Sequence, residues 1–246
     1  MLTNIKYFVI PVIFFFSNNT FLPAQTPPEF FGTQYTDAIE KIKEEKKRIQ
    51  KHCDEHNINP ALAISVVFPE MLRYTLWRDM FETTALKLMY VQYGSKAADF
   101  SIGWFQMKPS FAENLEAEIL KDAHLRLHFK KLILYKAPTN DTVSLRTERL
   151  SRLQSFDWQL IYLGAFILIN IKKYENLKVE SKNYLLLLSA AYNRGMEKSI
   201  QELLNFLTLK TFPYGPGKQN PFGYVELSNH FYLNETKVIF KTTKTN

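Results

Sequence analysis

Asn59-Pro60-Ala61-Leu62-Ala63-Ile64-Ser65-Val66-Val67-Phe68-Pro69-Glu70 is the stretch whose reading decides the architecture. Asn59 and Pro60 suit an N-cap and a first helical position, because the cap oxygen takes up an orphan amide and proline has none to satisfy. Residues 61–68 are almost wholly apolar, with no polar face, which is the pattern of a central helix buried on every side. Pro69 lacks an amide hydrogen and collides with the preceding turn, so a kink or an end is expected there. Glu70 is then an isolated acid delivered at the break of a buried helix, framed by Phe68, Pro69, Met71 and Leu72.

Outward from this stretch the chain is helical in both directions. On the N-terminal side, Asp37 and Glu40 form a capping box for a helix to about His56, with Ile39, Ile42, Ile49 and Cys53 on one face. On the C-terminal side, Leu76, Met80, Thr84 and Leu88 share a register over about 72–93, and Gly94 ends it. Ser110 and Glu113 read as a second capping box, opening a helix that buries Phe111, Leu115 and Ile119. His124 and His128 stand i to i+4 and share a face, but Lys121, Arg126, Lys130 and Lys131 surround them without a third ligand. A solvated basic face is expected there, and no metal site. Residues 136–144 form a loop, 145–153 are amphipathic, and Asp157 opens a long helix whose 160–171 run is apolar on nearly every face yet too short to span a bilayer. A third buried helix covers 184–192 and closes at Asn193 and Gly195. Ile200, Leu203, Leu204 and Leu207 line one more, residues 211–221 are rich in Pro and Gly, and 224–231 make a short last helix. Strand signals are few, and no repeat, phosphate loop or cysteine-pair motif occurs. The fold class is mainly α.

The composition, 46% hydrophobic and 15% aromatic over 246 residues, supplies a sizeable core. Cys53 is the only cysteine, so no intramolecular disulfide assists it; on the apolar face of its helix it reads as a small buried hydrophobe. A net charge of +7 draws the chain toward acidic polymers or anionic surfaces. Lys6, the apolar run 7–16 and Leu22-Pro23-Ala24 suit a secretory signal over 1–24, which predicts export. Residues 25–36 read as a linker, 37–234 as one domain, and 235–246 as a polar tail.

Three stretches could do chemistry together. Cleaving a glycosidic bond needs a carboxylic acid that can donate to the departing oxygen, and Glu70 is the best general acid available. In Ser101-Ile102-Gly103-Trp104-Phe105-Gln106-Met107-Lys108-Pro109, Gly103 lets the backbone approach a ligand, Trp104 and Phe105 offer faces for sugar rings, and Gln106 can donate and accept hydrogen bonds. Aromatics at this density are more often core. Ala191-Tyr192-Asn193-Arg194-Gly195 sets two polar handles, Tyr192 and Asn193, at the end of a buried helix.

In this order the three stretches resemble the soluble lytic transglycosylase domain of the lysozyme-like superfamily, related to the goose-type lysozymes. In that family a glutamate ends a central helix, a Gly-Leu-Met-Gln stretch lines the cleft and an Ala-Tyr-Asn-Ala-Gly stretch supports it. The matches are Glu70, residues 103–106 and residues 191–195, with Tyr224 matched to a tyrosine near the family's C-terminal end. The motifs fall within 59–231. Met71 stands where the family usually has Ser, Pro69 precedes the acid, Trp104 and Phe105 replace Leu and Met, and the interval from Glu70 to Gly103 is longer. The resemblance implies a lysozyme-like helical domain with a cleft around a central helix. It also implies cleavage of the β-1,4 bond between N-acetylmuramic acid and N-acetylglucosamine in peptidoglycan, leaving a 1,6-anhydro sugar. Glu70 would be the catalytic residue, with Gly103, Trp104, Phe105, Gln106, Tyr192, Asn193 and Tyr224 binding substrate. No cofactor or metal is called for. The expected partner is the glycan strand and not nucleic acid, in the periplasm or cell envelope, with no stable membrane span once the signal is cleaved; a protein partner in the envelope is left open. A hydrolase on the same scaffold would need a second acid, for which Asp99 and Glu113 are the candidates. A binding or scaffold protein that keeps the cleft without the chemistry is the remaining alternative.

Overall fold

A computed structural model describes residues 25–77, 84–138 and 140–240. The expected signal at 1–24 and Met80 of the 72–93 register lie outside the described residues. Along the chain run α1 (Pro27–Phe31), α2 (Thr33–Glu44), α3 (Lys46–Glu55), α4 (Pro60–Trp77), α5 (Thr84–Tyr93), α6 (Pro109–Lys121), α7 (Ala123–His128) and α8 (Lys130–Ile133). They are followed by α9 (Thr142–Gln154), α10 (Phe156–Asn176), α11 (Tyr184–Arg194), α12 (Ile200–Phe206), α13 (Tyr224–Asn234) and α14 (Thr236–Ile239). The described residues hold one sheet, the antiparallel pair β1 (Lys210–Phe212) and β2 (Phe222–Gly223). The fold is mainly α, and no described helix is long and apolar enough to cross a membrane.

The central position of α4 follows from its apolar residues. Ile64, Val66, Val67, Phe68, Met71 and Leu72 are all fully buried, and α2, α3, α10, α11, α13 and α14 pack around them. Phe68 stacks on Phe231 of α13 at 4.2 Å and meets Tyr35 of α2 edge-on at 5.3 Å. Of the kink or end expected at Pro69, the end does not occur, because α4 runs through it for two further turns to Trp77. A proline in a helix interior costs about 3 kcal/mol, whereas each large apolar side chain buried contributes about 1.5–3 kcal/mol. Burial on all sides therefore outweighs one missing ladder bond.

Several expected boundaries are corrected. Residues 25–36 are not a linker: Thr26 donates from its amide and hydroxyl to Glu29 to start α1, and Phe31, 3% exposed, packs on Phe212 and Phe222. Asp37 is interior to α2, which starts after Gly32, whose φ of +51° separates it from α1. Glu45 then divides α2 from α3, and its carboxylate accepts from Lys41 at 2.9 Å and Arg48 at 2.6 Å across the break. The tail is ordered as α14 through Phe240, with Thr236 and Ile239 buried. Asn193 lies within α11, and Gly195, at φ +115°, closes it. Gly94 ends α5 as expected, but α5 buries Tyr90 while Leu88 is 58% exposed. Cys53 is buried, which pushes its thiol up to about 12.

Tyr90 marks a polar knot that ties α5, α6, α9 and α10. Arg149 donates to Glu116 at 2.7 Å, to Glu113 at 3.3 Å and to the Tyr90 hydroxyl at 3.0 Å, while Tyr162 donates to Glu116 at 2.6 Å. Tyr90 and Ser95 occupy Glu113, so the expected Ser110–Glu113 capping box does not form. Asp99 takes that place, accepting from the Ser110 amide at 2.9 Å and hydroxyl at 2.7 Å.

Candidate active site

Glu70 projects from the middle of the most buried helix and is itself only 5% exposed. Its setting differs from the apolar frame suggested by its neighbours in sequence. Arg73, one turn along α4, donates Nη1 to Oε1 at 2.8 Å and to Oε2 at 2.6 Å, and its guanidinium lies 4.9 Å from the centre of the Phe212 ring. The i to i+3 spacing of Glu70 and Arg73 along a helix is the signal in the sequence that could have found this pair.

The Gly103–Gln106 loop is folded from within. An isolated bridge pairs Ile102 with Met107, and the turn between them uses Gly103 at φ +65° and Gln106 at φ +49°. A non-glycine residue in the left-handed region carries strain, which is commonly retained where a side chain must be aimed. Gln106 is 6% exposed; its Nε2 donates to the Gly103 carbonyl at 2.8 Å, while its Oε1 is buried without a partner. Gln159 of α10 holds the loop from below, accepting from the Phe105 amide at 3.1 Å and donating to the Ile102 and Leu153 carbonyls at 2.8 and 2.7 Å. A Cβ on Gly103 would run into that Gln159 amide, so glycine is required by close approach as well as by φ.

Helix α11 closes the third side. Tyr192 packs its ring on Phe111 and Phe166 at 5.2 and 5.3 Å and donates its hydroxyl to the Phe105 carbonyl at 2.8 Å, tying α11 to the loop. Burial first, and the adjacent Glu70 carboxylate second, push the Tyr192 phenol well above its ordinary value. Tyr224, the first residue of α13, is fully buried and donates to the Val66 carbonyl of α4 at 3.1 Å. Burial and then the Glu70 charge raise its phenol too, with a hydrogen bond to Glu70 contributing.

Four of the expected residues therefore meet: Glu70, Gln106, Tyr192 and Asn193 line one cavity of about 430 Å³. Tyr224 does not line this cavity. Gly103 shapes the loop, but the two aromatic rings do not line the cavity. Phe105 is fully buried against Phe156 at 5.2 Å, and Trp104 packs on Tyr74 at 4.5 Å under the Lys41 ammonium. The expected role of Phe105 as a sugar platform is corrected to core packing, whereas Trp104 is half-buried and packs against the core outside this cavity. Asp99 and Glu197 line the same cavity, whereas Glu113 belongs to the Arg149 knot. Asp99 is engaged by Ser110 and lies 4.0 Å from Lys108.

The sequence did not single out Arg73, Gln159 or Glu197. Gln159 lies more than 50 residues from the loop it holds and carries no local signal. At the opposite end of the molecule His56 Nδ1 and His128 Nε2 are 2.8 Å apart, so the expected basic histidine face gains a third ring. Among the described residues no group of three or more His, Cys, Asp or Glu side chains is arranged to hold a metal ion. No family model, no curated protein and no solved structure matches the chain.

Proposed function

We propose that the chain is an exported peptidoglycan lytic transglycosylase with Glu70 as general acid and then base. The observation that carries this reading is convergence: three stretches distant in sequence place a buried carboxyl group, an unpartnered amide oxygen and an Ala-Tyr-Asn helix end around one cavity. Glu70 donates a proton to the bridging oxygen as the bond to the muramoyl C1 breaks. The substrate's own acetamido oxygen covers C1, and the Glu70 carboxylate then removes the proton from the muramoyl 6-hydroxyl as that oxygen closes the 1,6-anhydro ring. No water is consumed and no second carboxylate is needed. The unpaired Gln106 Oε1 accepts from a sugar hydroxyl or acetamido N–H. Arg73 must release Glu70 before the proton is donated, since a guanidinium occupies both carboxylate oxygens.

That same ion pair favours a second reading, in which the cleft binds glycan strands without cutting them. Isolated peptidoglycan incubated with the chain from Gln25 onward separates the two. Anhydro-ended fragments seen by mass spectrometry, and lost in Glu70→Gln, are expected for the transglycosylase. Binding to sacculi with no fragments from either protein supports the scaffold, and reducing ends dependent on Glu70 indicate a hydrolase working with Asp99 or Glu197.

A further inference from the structure

The cavity around Glu70 opens directly into a second, larger compartment of about 940 Å³, and the two share Arg73, Ser101, Lys108, Asn193 and Arg194 in their walls. Arg73, Lys108 and Arg194 line both, and the two compartments differ in their acids. Glu70, Asp99 and Glu197 face the first compartment, whereas the second is lined by Arg73, Lys108, Arg194 and Lys218 with no acid among its lining residues. Arg194 and Lys218 form no ion pair among the described residues; the Arg194 guanidinium rests over the Phe206 ring at 5.3 Å. The rim is also held in shape. Asn220 accepts from the Tyr214 amide at 2.8 Å and donates to the Gly215 and Lys218 carbonyls at 2.7 and 3.0 Å, leaving the Tyr214 ring 56% exposed beside the groove.

Arg73 pairs with Glu70 and Lys108 lies 4.0 Å from Asp99, so Arg194 and Lys218 are the cations of this compartment without a counter-ion among the described residues; such cations raise the local concentration of anions and form charge-assisted hydrogen bonds with them. We propose that this second compartment is a subsite for the carboxylates carried by the substrate chain, a glycan bearing acidic peptide side groups, with Tyr214 covering the apolar part of the peptide. The identity of that chain rests on the peptidoglycan reading of the Glu70 cavity; the preference for carboxylate rests on the groove alone. Arg73 faces both compartments, so an anion that takes its guanidinium also frees Glu70.

The test is calorimetric titration of the intact chain with three probes at low salt: a muramoyl peptide with free carboxylates, the same peptide with its carboxylates amidated, and a neutral chito-oligosaccharide. The free-carboxylate probe is expected to bind about tenfold more tightly than the amidated one. The variant Lys218→Gln, at an exposed residue that lines the second compartment and not the Glu70 cavity, should match the parent in thermal melt and is expected to weaken that preference while leaving chito-oligosaccharide binding unchanged; the double variant Arg194→Gln/Lys218→Gln is expected to erase the preference. Equal affinity for both peptides, or a preference that survives in the double variant, overturns the subsite. A single-stranded DNA 12-mer that binds as tightly and loses affinity in the same variant overturns the carboxylate assignment in favour of a general polyanion groove. Failure of the parent to cleave peptidoglycan while the carboxylate preference persists counts against the enzyme reading and leaves the subsite standing.

Discussion

Gln106 shows what a single residue contributes and how it can be tested. Its positive φ and its buried, unpartnered Oε1 are two costs borne at one position, and both are understandable if the oxygen accepts from a ligand. Gln106→Ala is expected to raise KM for glycan strands about tenfold with a smaller effect on kcat, read from initial rates on soluble strands. Gly103 is the opposite case, a residue defined by what cannot be added to it. Gly103→Ala should lower stability by about 2–5 kcal/mol in urea unfolding, because the new Cβ is strained at φ +65° and meets both the Gln159 amide and, at 3.1 Å, the Leu153 carbonyl. An unchanged midpoint would mean that the loop is not held from below.

At the scale of elements, the end of α3 and the helix α7 meet through one imidazole pair. Burial first, and the facing His128 second, lower His56 from its ordinary value of 6.5 to about 4, while Glu55 opposes and His52 and Lys131 reinforce the shift. The unfolded chain therefore takes up a proton near pH 6.5 that the folded chain refuses until near pH 4. Stability from this contact is fully present above about pH 6.5 and is lost as pH falls toward about 4. Urea midpoints measured at pH 7.5 and 4.5 are expected to converge in His56→Gln relative to the parent. A parallel drop in both proteins would assign the acid sensitivity elsewhere, with His230, which burial lowers from its ordinary value, as the next group to examine.

Over the whole molecule, both ends of the described chain are part of the core. Phe31 joins Phe212 and Phe222, so the start of the chain braces the β pair that precedes α13 and, through Tyr224, the helix α4 that carries Glu70. Phe31→Ala is expected to cost about 3–5 kcal/mol by denaturant unfolding. Removing residues before Asp37 should have at least that effect, whereas a flexible linker would leave the midpoint unchanged. The charge of +7 adds a global expectation consistent with the cationic groove: attachment to acidic glycan should weaken as salt rises.

The apolar residues 61–68 by themselves determined that a central helix exists, and the spacing of apolar positions elsewhere determined a mainly α fold with Ile39, Ile42, Ile49 and Cys53 turned inward. Glu70, Gln106, Tyr192 and Asn193 were legible as site candidates because residue type and local motif carry that information. Where a side chain points across space was decided only by the tertiary structure. Burial on every face carried α4 through Pro69, Gln159 and the Ile102–Met107 turn hold Phe105 in the core, and Asp99 displaced Glu113 as the partner of Ser110. Each of these outcomes is a competition between a local preference of a few kcal/mol and contacts between residues far apart in the chain, and local sequence records only the first of the two.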